Sequence, residues 1–324
     1  MTTYLITGGT GSLGKALIKR LLKDPLNKIV VFSRDEGKQA LSFGPLPEVI
    51  RVIGDVRDFD KLNVTMKRFK PDYVIHTAAL KRIDDMEFYP DECVKTNIAG
   101  SENVARAALL NMVKKCILIS TDKACQPVNV YGSSKFIAER LYTNYDYQSE
   151  GTIFASVRYG NVIASRGSFI PLWLGLLGEG KNIKVTSLEM SRFLFTLEDA
   201  VDTVLGALEN AEGGEVFIPQ ICSYDMTTII KAVEKLHGAP VDYELIGLRP
   251  GEKLHEDMLA ATELPFTYAV PGLNLLGVRP QYTNRTARTA WASYDGPEFN
   301  SALHMSDNVD ELVRLIERGL GDAN

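Results

Sequence analysis

Several features that are common in proteins are scarce in this sequence, and each absence excludes a class of function. No apolar run approaches the length of a membrane-spanning helix, so we expect no membrane insertion. No signal peptide precedes the first predicted strand, and we expect a cytoplasmic protein. The four cysteines lack metal-site spacing, so we expect reduced thiols and no metal. The formal net charge of -5 argues against nucleic acid as a partner.

A glycine-rich turn near the amino terminus indicates a dinucleotide site. Gly8, Gly11 and Gly14 lie between a predicted strand, Thr3–Thr7, and a predicted helix, Lys15–Leu22. Glycines allow a tight turn and let the backbone approach a pyrophosphate, which the helix N-terminus also attracts. An ordinary turn is the alternative interpretation. The cofactor ligands predicted here are Gly8, Thr10, Gly11, Ser12, Leu13 and Gly14.

The end of the second predicted strand, Lys28–Phe32, favours NADP over NAD. Ser33, Arg34 and Asp35 follow it, with Lys38 one turn later. Arg34 and Lys38 suit a 2′-phosphate, which an arginine can bind through two hydrogen bonds. The alternative is that Arg34 is a surface charge and that Asp35 binds a ribose. We predict NADP, with Ser33, Arg34 and Lys38 among its ligands.

Two further strand ends add residues to the predicted cofactor site. After Val49–Ile53 we expect Asp55 and Val56 to flank the adenine, while Asp58 caps the next helix. After Tyr73–His76 come small residues that a flat cofactor can pass over. The residues assigned there are Ala78, Ala79 and Lys81, of which Lys81 is also a candidate for substrate anions. His76 itself is predicted to be a buried group with local hydrogen-bond partners.

The stretch 120–135 carries the predicted chemistry. A buried parallel strand, Cys116–Ile119, delivers Thr121, Asp122 and Lys123 to its carboxyl end, where open α/β sheets bind ligands. Beyond an irregular segment, a helix places two further side chains, Tyr131 and Lys135, on one face. The ammonium is expected to lower the pKa of the tyrosine, which can then take a proton from a substrate hydroxyl.

Polar residues elsewhere are candidates for substrate binding. Asn97 lies on a predicted long helix, Cys93–Asn111. Asn161 lies near the end of a predicted strand, Ile153–Val162, and the last residue of that strand, Val162, is a further cofactor candidate. Arg192 and Arg249 suit a diphosphate, and the alternative is that both are ordinary surface charges with no ligand. The substrate-binding candidates are Lys81, Asn97, Asn161, Arg166, Arg192, Arg249 and Glu252.

The alternation of strands and helices predicts an α/β fold. We expect a Rossmann doubly wound parallel sheet over residues 1–163. Residues 164–324 are predicted to form mainly a smaller, interleaved α/β substrate-binding domain, with a segment near 193–220 returning to the first. The charged run from Arg249 to Glu256 is predicted to open a helix.

These motifs resemble the extended short-chain dehydrogenase/reductase superfamily, and more narrowly the UDP-N-acetylglucosamine 4,6-dehydratases of the soluble, inverting, pseudaminic acid type. The blocks that carry the narrower resemblance are 33–36 with Lys38, 78–81, 120–125, 158–162, 165–168, 190–193 and 249–253. Lys123 stands where related glucose enzymes carry glutamate, and Tyr131 stands where some relatives carry methionine. The stretch 272–292, with Arg279, Arg285 and Arg288, departs from the family pattern.

The resemblance implies an NADP-dependent loss of water from UDP-N-acetylglucosamine. Tyr131 takes the O4 proton as C4 is oxidised, and Lys135 holds the phenolate and the nicotinamide ribose. Lys123 is the base at C5, with a pKa lowered by Lys135 and the oxidised nicotinamide. Asp122, beside Thr121, protonates the departing 6-hydroxyl. Hydride then returns to C6, and C5 is inverted.

Two other functions remain open, and the resemblance also implies an assembly. A UDP-sugar 4-epimerase uses the same fold and tyrosine but needs no base such as Lys123. A non-catalytic NADP-binding sensor needs none of the four reactive side chains. Relatives associate through helices beside the sheet, so we expect a homo-oligomer, either a dimer or a hexamer.

Overall fold

The computed structural model describes residues 1–285 and 290–322 of the chain, and Arg288 lies outside these described residues. The helices are α1 (Ser12–Leu21), α2 (Glu36–Phe43), α3 (Phe59–Phe69), α4 (Ile83–Phe88), α5 (Pro90–Cys93), α6 (Gly100–Leu110), α7 (Val130–Gln148), α8 (Phe169–Gly178), α9 (Leu197–Asn210), α10 (Met226–His237) and α11 (Val309–Asp322). The strands are β1 (Thr2–Thr7), β2 (Asn27–Ser33), β3 (Val49–Ile53), β4 (Tyr73–His76), β5 (Lys115–Ile119), β6 (Ile153–Val157), β7 (Asn161–Val162), β8 (Ile183–Val185), β9 (Ser191–Phe195), β10 (Val216–Pro219), β11 (Ser223–Asp225), β12 (Tyr243–Leu245), β13 (Asp257–Leu259), β14 (Thr267–Ala269), β15 (Leu275–Val278), β16 (Ala292–Ser293) and β17 (Phe299–Asn300).

A ten-stranded sheet forms the centre of the fold, in the order β16-β14-β15-β10-β6-β5-β4-β1-β2-β3. The strands from β10 to β3 run parallel. Strands β15, β14 and β16 extend this sheet in antiparallel fashion. Helical crossovers join the parallel strands, as parallel pairing requires. The predicted α/β, doubly wound Rossmann sheet is confirmed.

The order of the strands reverses at β1, which lies between β2 and β4. Open α/β sheets bind their ligands outside the carboxyl ends of the strands at such a point. The turn after β1 and the loop after β5 both leave the sheet at this edge, because these strands are parallel. The sheet therefore brings the glycine turn and Thr121–Lys123 to the same side.

Apolar layers cover both faces of the sheet and fix the helices to it. On one face Ile6 and Val31 pack with Val204 of α9. On the other face Leu118 packs with Tyr142 of α7. Because both faces are covered, the central strands are continuous apolar runs, and this is why their positions are readable from the sequence.

A second region is built from smaller sheets and three helices. Strands β7, β9 and β11 form one sheet, while β8 pairs with β12 and β13 with β17. Helices α8, α10 and α11 enclose an apolar cluster that includes Trp173, Ile229 and Ile316. Strand β13 packs against the short turn Asp122–Ala124 after β5. The second region thus reaches the reactive edge of the main sheet. The domain boundary at residue 163 stays a prediction.

Two expectations about strands need correction. The predicted strand Ile153–Val162 ends at Val157, because Asn161 and Val162 pair instead with β9 in the smaller sheet. Within the segment near 193–220 that was expected to return, β10 pairs with β6 in the main sheet and α9 packs against that sheet, whereas β9 belongs to the smaller sheet. The later strands β14, β15 and β16 also join the main sheet, which was not predicted.

Two helix predictions also differ from the structure. The expected helix Cys93–Asn111 contains a π-helical turn, Val94–Ala99, where the Asn97 side chain bonds to the loop after β4. The charged run ending at Glu256 opens no helix, because the backbone N–H and carbonyl of Glu256 bond to Ser301. Among the described helices, none is long and apolar enough to cross a membrane.

Two predicted helix caps are confirmed. Asp58 accepts a hydrogen bond from the Lys61 N–H at the start of α3. Thr196 and Asp199 form a reciprocal capping box at the start of α9. Each cap satisfies N–H groups that a helix leaves unpaired in its first turn.

Candidate active site

The glycine turn between β1 and α1 has the shape that a bound pyrophosphate requires. Gly8 has a φ of +66°, and a Cβ built on it would lie 2.8 Å from the Ala78 backbone. A Cβ at Gly14 would lie 2.5 Å from the Cα of Gly9. Side chains are excluded at both positions, and the first N–H groups of α1 follow directly at Ser12. The residues present fit a dinucleotide cofactor.

The loop 164–168 contacts this turn. The Arg166 N–H donates to Ser12 Oγ at 3.1 Å, and the Arg166 carbonyl accepts from Lys81 Nζ at 2.9 Å. The structure therefore brings Lys81 and Arg166, both predicted site residues, to the glycine turn. These contacts involve the backbone of Arg166, so the role of its guanidinium in substrate binding stays a prediction.

The residues after β2 bear on the choice between NAD and NADP. Asp35 caps α2 by accepting from the Lys38 N–H, and it also pairs with Lys38 Nζ at 2.9 Å. The side chain of Arg34 is 58% exposed, and its Nη1 lies 3.9 Å from Asp55 Oδ2. Asp35 is thus engaged in the helix cap, while Arg34 is accessible to a ligand.

The remaining predicted cofactor residues lie along the same edge or just beneath it. Ser33 Oγ accepts a hydrogen bond from Gln39 Nε2 at 2.9 Å. Val56 is buried in the apolar layer under α6. Contacts with the cofactor stay predictions for Thr10, Gly11, Leu13, Ala78, Ala79 and Val162.

Thr121, Asp122 and Lys123 lie together after β5, as predicted. Asp122 Oδ1 accepts from Thr121 Oγ1 at 2.8 Å and from Lys123 Nζ at 3.1 Å. The Lys123 backbone N–H donates to the same oxygen at 2.9 Å. Asp122 Oδ2 is buried and has no hydrogen-bond partner among the described residues. This carboxylate therefore offers one oxygen to a ligand.

Glu256 is a fourth member of this cluster, and the sequence did not predict it. Its Oε1 lies 3.1 Å from Lys123 Nζ, and the residue is 2% exposed. Burial acts to lower the pKa of Lys123, but Asp122 and Glu256 outweigh it and raise that pKa overall. The predicted lowering by Lys135 is wrong for the protein alone, because the two carboxylates are the groups that reach the ammonium.

Helix α7 presents Tyr131 and Lys135 on one face, and Asn129 caps its first turn. Burial raises the pKa of Tyr131 to about 12, although Lys123 and the Thr121 hydroxyl act in the opposite direction. Burial lowers the pKa of Lys135 to about 8. The prediction that Lys135 lowers the pKa of the tyrosine is therefore wrong here, since the cation acting on Tyr131 is Lys123.

The predicted substrate residues divide into two groups. Asn161 Oδ1 is buried without a hydrogen-bond partner in the described part of the chain, so it can receive a ligand donor. Arg192 instead donates to the carbonyls of Ser191, Lys253 and Leu254. These bonds brace the segment before Glu256, and a diphosphate contact by Arg192 stays a prediction.

Arg249 and Glu252, two further substrate candidates, are paired with each other. Arg249 Nη2 lies 2.5 Å from Glu252 Oε1, and its Nη1 lies 3.2 Å from Asp84 Oδ2. The side chain of Arg249 is half exposed at the edge of the site. Its contact with the substrate, and that of Glu252, stay predictions.

Two buried polar residues have structural roles. The side-chain amide of Asn97 bonds to both backbone groups of Leu80 and to Ser134 Oγ, and the residue is fully buried. The predicted substrate contact of Asn97 is therefore wrong, and the residue positions the loop after β4. His76 is confirmed as a satisfied buried group, with hydroxyls of β1 and α6 on its two ring nitrogens. Burial lowers its pKa to about 3.

No local signal in the sequence pointed to the role of Glu256. The charged run from Arg249 lacks the apolar spacing of an amphipathic helix, so a helix was the wrong interpretation. The contact of Glu256 with Lys123 depends on the packing of β13 beside the turn after β5, and no local pattern indicates this packing. Within residues 1–285 and 290–322, no cluster of His, Cys, Asp and Glu has the arrangement of a metal site.

Comparison with known families assigns the chain. A model of the family described as polysaccharide biosynthesis protein matches residues 4–273. The chain belongs to the polysaccharide biosynthesis protein family. One relative, the UDP-N-acetylglucosamine 4,6-dehydratase (inverting) of Campylobacter jejuni, is 45% identical to this chain over 82% of the chain and 79% of the relative. The resemblance to these dehydratases is thereby confirmed.

Other proteins similar to this chain carry different names. A Rickettsia bellii protein named UDP-glucose 4-epimerase is 42% identical over 81% of the chain and 79% of its own length. The X-ray structure of Pen from Bacillus thuringiensis superimposes with a TM-score of 0.89 at 33% identity, covering 98% of both chains. UDP-glucose 4-epimerase of Thermus thermophilus, in complex with NAD, shares the fold, with a TM-score of 0.69 at 21% identity over 78% and 88% of the two chains.

Proposed function

We propose that the protein is a nucleotide-sugar 4,6-dehydratase that converts UDP-N-acetylglucosamine to a UDP-2-acetamido-2,6-dideoxy-4-hexulose with inversion at C5. The observation that carries this proposal is the placement of Lys123 beside Asp122 and close to Tyr131. An oxidation at C4 needs only the tyrosine, whereas removal of water across C5 and C6 needs both a base and an acid. The name of the Campylobacter relative supports the same reaction.

Tyr131 takes the proton of the 4-hydroxyl in this mechanism. Tyr131 is half-buried beside Thr121 and Lys123, which both act to stabilise its phenolate against the effect of burial. Lys135, whose pKa burial lowers to about 8, would bind the nicotinamide ribose from the same face of α7. A bound nicotinamide dinucleotide would supply the hydride chemistry of the reaction.

Lys123 and Asp122 then remove water from the 4-keto sugar. The ketone acidifies the C5 hydrogen, and the neutral amine of Lys123 takes that proton. Asp122, which must hold a proton at this step, donates it to the departing 6-hydroxyl, and its buried Oδ2, which has no partner among the described residues, is available for this contact. C5 regains a proton from solvent on the face opposite Lys123, which inverts its configuration, and Lys123 and Asp122 then return to their starting protonation by exchange with water.

NADP is the cofactor that we propose. Asp35, the acidic residue after β2, is engaged in capping α2, so it is less available to ribose hydroxyls. Arg34 is exposed beside it and suits a 2′-phosphate.

We also propose that UDP binds beside Arg249 and that the protein forms a homo-oligomer, a dimer or a hexamer. Val94, Phe136 and Ile137 are exposed apolar side chains beside the sheet on neighbouring helical segments, which supports association there. A cytoplasmic location and a place in pseudaminic acid formation stay predictions.

A UDP-sugar 4-epimerase is the second candidate, and the name of the Rickettsia relative favours it. An epimerase returns hydride to C4 and loses no water, so Lys123 would have no proton to remove at C5. A non-catalytic NADP-binding sensor is a third possibility and would bind the cofactor without turning over a sugar.

Incubation with UDP-N-acetylglucosamine in deuterated water, followed by mass spectrometry and proton NMR, tests the proposal. We expect the loss of one water, a new C6 methyl group and deuterium at C5, with couplings that report the inversion. An unchanged mass with an altered C4 configuration would establish the epimerase instead. Tight NADP binding without turnover of any UDP-sugar would favour the sensor.

A further inference from the structure

Glu256 is held rigidly next to the proposed base. Its backbone N–H donates to Ser301 Oγ at 2.8 Å, and its carbonyl accepts from the Ser301 N–H at 2.8 Å. Ser301 is fully buried and also bonds to Ser191 Oγ at 2.7 Å. These contacts fix the backbone from two sides, so the carboxylate is directed at Lys123 by the fold itself.

The side chain of Glu256 is incompletely satisfied. Oε1 lies 3.1 Å from Lys123 Nζ and 4.0 Å from Arg192 Nε. Oε2 is buried and has no hydrogen-bond partner among the described residues. A carboxylate retained only for stability normally has both oxygens satisfied, because an unpaired buried acceptor costs about 1–3 kcal/mol.

The neighbouring carboxylate provides a contrast on the same segment. Asp257 Oδ2 lies 3.2 Å from Lys253 Nζ, and its Oδ1 accepts from Asn300 Nδ2 at 2.5 Å. Both oxygens of Asp257 are therefore engaged in contacts away from Lys123. Of these two adjacent residues, Asp257 has partners for both carboxylate oxygens, whereas Glu256 has one oxygen without a partner among the described residues.

Lys123 can act as a base at C5 only after it has lost a proton. Its ammonium faces Asp122 on its own turn, Glu256 on the segment before β13 and Tyr131 on α7, and Arg192 approaches the same oxygen of Glu256. Burial raises the pKa of Glu256, while Lys123 and Arg192 act to lower it. Because Asp122 and Glu256 also raise the pKa of Lys123, the ion pair predominates, and transfer of the proton to Glu256 gives a neutral pair as the minor form.

We propose that Glu256 is a positioning residue of the dehydration step, which holds Lys123 and receives the proton that Lys123 must lose before acting at C5. This inference rests on the proposed dehydratase function. The Nζ–H bond of the ammonium breaks and an O–H bond forms on Oε1, so an ammonium and a carboxylate become an amine and a carboxylic acid. No electron transfer and no additional reactant are needed.

This arrangement predicts an unusual pH profile for the removal of the C5 hydrogen. While Lys123 and Glu256 share one proton, the fraction of the pair with a neutral amine does not change with pH. The rate of C5 exchange at saturating substrate should therefore be nearly flat from about pH 6 to about pH 9. A lysine that must release its proton to solvent would instead gain about tenfold per pH unit below its pKa.

Glu256→Gln separates proton transfer from simple holding, because glutamine can accept a hydrogen bond from Lys123 but cannot take its proton. We expect C5 exchange in deuterated water to fall at least about tenfold near pH 7 and to rise steeply with pH. Oxidation at C4, followed in a single turnover by nicotinamide absorbance, should change by less than about threefold, and KM should change as little.

Two further variants serve as controls. Glu256→Asp keeps a carboxyl group, so its C5 exchange should be slower but as flat with pH as that of the unaltered protein. Asp257→Asn, on the adjacent carboxylate, should retain both the rate and the flat profile. Circular dichroism and thermal melting establish that each variant is folded.

The outcomes distinguish this inference from the proposed function. If the unaltered protein loses no water from UDP-N-acetylglucosamine, the dehydratase assignment fails and Glu256 has no such role. If it loses water but its own C5 exchange already rises about tenfold per pH unit, the role of Glu256 is refuted even if Glu256→Gln does not fold. A flat, unreduced profile for folded Glu256→Gln would refute it equally.

Discussion

Two largely buried cations in this protein, Arg158 and Lys123, each lie between two carboxylates, but only Arg158 engages all four carboxylate oxygens. Arg158 donates to both oxygens of Glu139 and both oxygens of Glu263, at distances from 2.7 to 3.2 Å. Lys123 reaches one oxygen each of Asp122 and Glu256, and the other two oxygens are buried without partners in the described structure.

One carboxylate from each cluster, Glu263 and Glu256, has a shifted pKa, and the two shifts run in opposite directions. Burial acts to raise the pKa of Glu263, but Arg158 outweighs it and lowers that pKa overall. The pKa of Glu256 is raised, with burial as the largest cause. A guanidinium keeps its proton, whereas an ammonium can lose one. A buried ion cluster alone is therefore no sign of a reactive site, and the open oxygens and the titratable lysine make the difference.

The largest effect that we expect is a loss of stability on Arg158→Met. The change leaves Glu139 and Glu263 buried without their cation, which costs about 3–5 kcal/mol. Chemical denaturation or thermal melting measures this loss. The matched change Lys123→Met should cost less than half as much, because the raised pKa of Glu256 lets that carboxylate become neutral.

Equal losses of stability in the two methionine variants would break the comparison. A Lys123→Met protein as unstable as Arg158→Met would show that both clusters hold the fold to the same extent. The open oxygens would then have no bearing on function.

The glycine turn should lose cofactor binding when its backbone shape is disturbed. Gly8→Ala places a Cβ 2.8 Å from Ala78, at a φ of +66°. The left-handed backbone costs about 1–2 kcal/mol, so NADP affinity should fall at least about tenfold, as titration calorimetry can measure. Gly175→Ala in α8 is the control, because a Cβ there meets nothing within 4 Å. Unchanged NADP affinity in Gly8→Ala would contradict this site.

Arg34 extends the comparison to a cation that is exposed. Its ion pair with Asp55 is long, at 3.9 Å, and exposed to solvent, so it contributes little to the stability of the fold. We therefore expect Arg34 to contribute to cofactor binding. Arg34→Ala should weaken NADP about tenfold or more, through loss of about 1.5–3 kcal/mol of charged hydrogen bonding, and change NAD affinity less than about threefold. Equal weakening of both cofactors would remove the case for NADP. Arg51→Ala, an exposed change on β3, is the control.

The sequence predicts the parallel half of the fold well, because the signals there are local. Strands β3 and β4 have the predicted bounds, since each is an apolar run bounded by polar residues and turns. Asp122, Lys123, Tyr131 and Lys135 were predicted from a strand end and a helix face, which are also local features.

The errors concern residues whose partners are distant in the chain. Asn97 has a polar side chain on a predicted helix, and only its bonds to Leu80 and Ser134 show that it is structural. The packing of β13 brings Glu256 to Lys123, and this contact contributes to the raised pKa of the lysine. Such electrostatic effects follow from tertiary contacts, so no pattern in the chain reveals them.

The most direct test of this account is the rate of C5 hydrogen exchange in Lys123→Met, with UDP-N-acetylglucosamine and NADP in deuterated water. We predict that the exchange falls by about 10²- to 10⁴-fold, the usual contribution of a positioned base, while oxidation at C4 slows much less, through loss of the charge beside Tyr131. Exchange at the rate of the unaltered protein would contradict the role of Lys123, and with it the proposed dehydration mechanism.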